Sequence, residues 1–128
     1  MHYFMLCYSG AGKSSLLSAL SSKLPLSSGQ RITGDGLELG VFTQDLAQDL
    51  DQTASAVDVV LSYVRQRDPT ISNERVRSVL GSLGLMKDKS TRLVGLLSGG
   101  EKARVALAGF VLIPHNLLLL DEPSNHRK

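Results

Sequence analysis

Several short groups of residues in this chain have the types and spacing to act on a phosphate. The first is Gly10-Ala11-Gly12-Lys13-Ser14-Ser15. It lies between an apolar segment that reads as a strand and a leucine run at helical spacing, so loop amides and a helix N-terminus converge on one anion-sized place. Glycine is suited to it because backbone must approach phosphate closely. Here Lys13 would reach β- and γ-phosphates, and the Ser14 hydroxyl would coordinate the Mg²⁺ that bridges them. The strict pattern G-x-x-x-x-G-K-[ST] has a glycine where this chain has Cys7. The second group is Asp121-Glu122, which follows Leu117-Leu118-Leu119-Leu120. Carboxylates leaving the C-terminal edge of a parallel strand stand where open α/β sheets bind their ligands. Asp121 would hold Mg²⁺ directly or through water, and Glu122 could orient and deprotonate an attacking water. Alone, an acidic turn after a strand is ordinary surface chemistry; the upstream lysine loop gives the pair its meaning. Gln44, at a strand end between these two groups, offers an amide to metal or water. Ser98-Gly99-Gly100 places a hydroxyl and backbone amides at a helix N-terminus, which is either a second anion site or simply a capped helix.

The elements that must position these residues are legible in outline. Met1 to Cys7 reads as a strand that runs straight into the glycine loop, without the basic start or cleavage site of a signal peptide. Leu16, Leu17, Leu20 and Leu24 then predict a helix that lasts until Pro25. Between Gln30 and Gln44, the runs Leu37-Glu38-Leu39 and Val41-Phe42 among glycines predict short strands, the last ending at Gln44. From Thr53 the period changes, with Val57, Val60, Leu61 and Val64 on one helix and Val76, Val79, Leu80 and Leu83 on the next. Residues 84 to 97 show no clear period. Ser98 and Glu101 stand in S-x-x-E spacing, which predicts a capped helix lined by Ala103, Ala106, Leu107, Phe110 and Val111 and closed by Pro114. Leu117 to Leu120 predicts a strand buried on both faces in a parallel sheet.

Composition narrows the class. At 128 residues and 42% hydrophobic, the chain has the size and apolar content of one globular domain. A net charge of +2 lacks the clustered excess of an electrostatic nucleic-acid binder. The single cysteine, Cys7, can form no internal disulfide, which fits a reducing compartment, and no Cys/His group has metal-ligand spacing. The expectation is an α/β fold with no membrane segment.

Taken in order, Gly10-Ala11-Gly12-Lys13-Ser14-Ser15, Gln44, Leu97-Ser98-Gly99-Gly100-Glu101 and Leu117-Leu118-Leu119-Leu120-Asp121-Glu122-Pro123 closely resemble an ATP-binding cassette domain. The resemblance makes them the Walker A loop, the Q-loop, the signature loop and the Walker B strand with its catalytic glutamate. Glu101-Lys102-Ala103-Arg104 and Pro123-Ser124-Asn125-His126 are similar to the ABC-F subfamily, whose members are soluble twin-cassette ATPases, many acting on ribosomes. The resemblance implies a phosphate-loop NTPase cassette core with a parallel sheet, residues 1–52 and 113–128, and a helical insert with the signature helix at about 53–112. It further implies ATP and Mg²⁺ as ligands, a cytoplasmic location, and a second cassette, in cis or trans, facing this one head to tail. Ser14, Gln44 and Asp121 would then hold the metal, Glu122 and Gln44 would serve hydrolysis, and Ser98, Gly99 and Gly100 would meet the partner's nucleotide. The family continues past the position of His126 with Leu-Asp, further strands and a switch histidine, where this chain reads Arg127-Lys128. The expectation is therefore an incomplete cassette, truncated at both ends, with a central gap in its sheet. A non-catalytic ATP-binding fragment and a transporter's nucleotide-binding domain are the alternatives.

Overall fold

The computed structural model describes residues 12–120, with Gln44, Asp45 and Leu120 described by their backbone alone. The order of elements is α1 (Lys13–Leu20), β1 (Leu39–Phe42), a 3₁₀ turn (Gln44–Ala47), α2 (Ala56–Val64), α3 (Asn73–Ser82), α4 (Asp88–Thr91), a second 3₁₀ turn (Val94–Leu96), α5 (Gly99–Leu112) and β2 (Leu117–Leu120). The expected strand at residues 1–7 and the chain beyond Leu120 lie outside the described residues.

Strands β1 and β2 pair in parallel, Leu39 with Leu117, Gly40 with Leu118, Val41 with Leu119 and Phe42 with Leu120. Asn116 fixes this register with its side chain. Its Nδ2 donates to the Gly36 carbonyl at 2.8 Å, and its Oδ1 accepts from the Glu38 amide at 2.9 Å. The amide group thus extends the ladder by one step before the strand begins. Gly40 is required by packing, since a Cβ there would lie 2.6 Å from His115 Cδ2 and 2.9 Å from Phe110 Cζ. Phe110 meets Phe42 edge-on at 5.3 Å between ring centroids and stacks on His115 at 4.7 Å, so α5 is clamped against the sheet.

The principal core lies among the helices. Val57, Val60, Leu61 and Val64 of α2, Val76 and Leu80 of α3, Leu85, Val94, Leu97, and Val105 and Ala108 of α5 form one buried cluster. Each of these helices starts where the sequence supplies an oxygen for its free amides: Ser55 Oγ accepts from the Asp58 amide, and Ser72 Oγ from the Arg75 amide. An antiparallel bridge from Ser55 to Leu93 ties the start of α2 to the segment before α5.

Several expectations need correction. Helix α1 ends at Leu20, short of Leu24. Ser22 takes a left-handed conformation at φ 66°, and the Ser22 and Lys23 amides turn back to the Ala19 and Ser18 carbonyls, a Schellman ending that hydrophobic spacing does not reveal. One strand, Leu39–Phe42, stands where two were expected. On α5 the buried residues are Val105, Ala108, Gly109 and Phe110, while Val111 is 60% exposed. This helix is packed by α2 and α3 on one side and by β1 and the first 3₁₀ turn on another, which blurs a single stripe. Strand β2 buries Leu119 but leaves Leu118 52% exposed, because α5 covers one face of the sheet among the described residues.

Candidate functional site

Helix α1 differs from the other described α-helices in the charge of its first turn. Gly12 is its N-cap at φ 82°, ψ 18°, a left-handed conformation that glycine tolerates and that turns the chain sharply into the helix. Having no side chain, it contributes no capping oxygen. Helices α2, α3, α4 and α5 carry Asp58, Glu74, Asp88 and Glu101 in their first turns, whereas α1 has no acid there and starts on Lys13. A cation at the positive end of a helix dipole is unfavourable by itself and becomes favourable when an anion is shared between them. Ser14 and Ser15 stand in the same first turn and are exposed. Gly10 and Ala11, the rest of the expected loop, lie outside the described residues.

The C-terminal ends of the two strands are side by side, since Phe42 pairs with Leu120. The strand stops at Phe42, two residues short of the expected end at Gln44, whose backbone opens the first 3₁₀ turn just beyond the strand edge. Asp121 and Glu122 follow Leu120 in sequence and lie outside the described residues. Among the described residues, no group of three or more His, Cys, Asp or Glu could hold a metal, and no helix is long and apolar enough to cross a membrane.

Ser98 is the N-cap of α5 and forms the expected capping box. Its Oγ accepts from the Glu101 amide at 3.3 Å, and Glu101 Oε2 accepts from the Ser98 amide at 2.9 Å. The Gly99 and Gly100 amides are in the first turn, where no preceding carbonyl of the helix can reach them. Neither glycine has a positive φ, and a Cβ at either would meet nothing within 4 Å. Internal packing therefore gives no reason for glycine at either position. Arg104, one turn on, donates from Nε to the Gly100 carbonyl at 3.1 Å and from Nη1 to the Leu83 carbonyl at 3.4 Å, fastening this turn to the end of α3.

Sequence reasoning missed Lys89. Its Nζ is 2.8 Å from Glu101 Oε1, and the Glu101 side chain is only 13% exposed. This ammonium, with the Ser98 amide second, holds the Glu101 carboxyl at about 2, down from 4.5. No local spacing signals the pair, since Lys89 sits on the separate helix α4.

The family model described as ABC transporter matches residues 2–125. A probable ATP-binding protein, YheS, of Haemophilus influenzae is 42% identical over 117 residues, covering 91% of this chain and 18% of that protein. ABC transporter F family member 3 of Arabidopsis thaliana is 38% identical over 117 residues, 91% of this chain and 16% of its own length. The chain thus spans less than a fifth of these relatives. Among solved structures, a dimeric ATP-binding cassette in a post-hydrolysis state, bound to ADP and Pi, superposes with a TM-score of 0.67 at 21% identity, covering 91% of this chain and 58% of that one. With the match running through nearly every residue and the cassette fold recovered, the chain belongs to the ABC transporter family as part of its ATP-binding cassette, with relatives in the F subfamily.

Proposed function

We propose that this chain binds Mg-ATP on the Gly10–Ser15 loop and contributes to ATP hydrolysis when a second cassette faces it, in cis or in trans. The observation that carries the reading is the start of α1, where a left-handed glycine, a lysine and two serines stand in place of the acid that opens each of the other described α-helices. Lys13 would hold the β- and γ-phosphates by charge-assisted bonds, and the amides from Gly10 to Ser15 would cradle them. Ser14, Asp121 and the Gln44 amide are oxygen donors of the kind that suits Mg²⁺. When bound, the ion offsets the charge of the phosphate oxygens. Glu122 would take the proton of the attacking water, with Gln44 orienting that water. Ser98, Gly99 and Gly100 would serve the nucleotide of the facing cassette, an arrangement supported by the dimeric form of the similar cassette bound to ADP and Pi.

In this reading residues 1–52 and 113–128 form the nucleotide core, and about 53–112 form the helical insert that carries the signature helix. The relationship to F-subfamily proteins supports a cytoplasmic ATPase that acts on the ribosome, and co-sedimentation with ribosomes tests that part separately. The test of the site is calorimetry with Mg-ATP on the full chain. Lys13→Ala is expected to weaken binding about 10- to 100-fold, the scale of one charge-assisted contact. Equal heats from parent and variant would remove the phosphate site and leave a non-binding module.

A further inference from the structure

The N-terminus of α5 carries a contradiction. Its backbone amides suit a phosphate, yet Glu101 in the same turn is an ionised carboxylate, held in that state by its neighbours. A negative charge within a few ångströms of an incoming phosphate opposes it. The carboxylate cannot simply move aside, because its Oε2 accepts the Ser98 amide at 2.9 Å and so sets the entry of the helix. Its other oxygen, Oε1, is engaged at 2.8 Å by the Lys89 ammonium, which arrives from α4. The two oxygens thus divide the work: one caps the helix, and the other is neutralised from outside it.

We propose that Lys89 is a positioning residue for the signature loop, cancelling the Glu101 charge so that the turn Ser98-Gly99-Gly100 stays attractive to the phosphate presented by a facing cassette. This rests on the reading of that turn as phosphate-binding. A purely structural ion pair would predict damage whenever either partner is changed, whereas charge cancellation predicts that removing both charges restores function. Glutamine at position 101 can still accept the Ser98 amide, so the capping box survives the change.

The test is sedimentation of the full chain with Mg²⁺ and a non-hydrolysable ATP analogue, reading nucleotide-driven self-association. Lys89→Met is expected to weaken association about fivefold, the scale of a charge at a helix terminus. Lys89→Arg should hold it close to the parent, and Lys89→Met combined with Glu101→Gln should bring it back. Calorimetric binding of the analogue to each chain's own phosphate loop should be the same in all variants, which a general disturbance of the fold would not allow. A double variant as weak as Lys89→Met, or Lys89→Met equal to the parent, overturns the inference and leaves the two-cassette reading standing. Failure of the parent to associate with the analogue overturns that reading and the inference with it.

Discussion

At the scale of single residues, glycines with the same one-letter code serve opposite ends. Gly40 has no room for a methyl group, because His115 of the loop before β2 and Phe110 of α5 occupy the space a Cβ would take. Gly99 has open space around the position a Cβ would take. Gly40→Ala is therefore expected to cost about 1–3 kcal/mol in urea unfolding, as overpacking does. Gly99→Ala should hold or raise stability, by up to about 1 kcal/mol from helix propensity, while weakening nucleotide-driven association. A Gly99→Ala variant that unfolds as readily as Gly40→Ala would contradict an external role for this glycine. The residue types of the phosphate loop, Gln44 and the Ser98 turn are all visible in the amino-acid sequence. The reason for each glycine is not, since it depends on what the fold brings within 3 Å.

Elements report how local patterns fare against tertiary packing. The S-x-x-E spacing of Ser98 and Glu101 is a local signal, and the capping box forms as that spacing requires. Helix α1 shows the opposite case: leucine spacing continues to Leu24, but the left-handed Ser22 ends the helix first. On α5, contacts from two sides bury Val105 and Ala108 where one stripe through Val111 was expected. The capping box also has a pH consequence. Glu101 titrates near 2 in the folded chain against an ordinary value of 4.5, because Lys89 and the Ser98 amide favour the carboxylate. Its stabilising effect is complete above the ordinary value and is lost as pH falls from there toward 2. Glu101→Gln should be the less stable protein at neutral pH and should show a flatter loss of stability across that acidic window. Denaturant unfolding at a series of pH values checks this, and parallel curves for the two proteins would refute it.

At the scale of the whole molecule, apolar side chains among the described residues differ sharply in burial. Val57, Val60, Val76, Leu80, Val105 and Ala108 of α2, α3 and α5 are shut into a single cluster, with Leu80 and Val60 almost fully buried. Those of α1 and the following loop are not, as Leu16, Leu20, Leu24 and Leu26 are each between 43% and 46% exposed. Leu80→Ala is expected to cost about 2–5 kcal/mol, the range for buried leucines. Leu16→Ala should cost under about 1 kcal/mol, since surface substitutions rarely cost more. Chemical denaturation of both variants reads the difference, and equal losses would show that α1 is packed as tightly as the helices. The helical stripes that build the cluster were legible because periodicity reports burial. The exposure of Leu118 was not, because a run of four leucines says only that a strand could be covered on both faces.

Strands β1 and β2 meet across 78 residues of chain. During synthesis, β1 emerges well before the segment it must pair with, while α2, α3 and α5 between them already hold the contacts they need to associate. Local helices form quickly and distant strand pairings slowly, so assembly is expected to proceed from the middle of the chain outward. In that interval β1 presents an open ladder edge, a template for the wrong partner. The Asn116 amide, bonded to Gly36 and Glu38, meets β1 just before β2 does, and so sets the register in which this late closure zips.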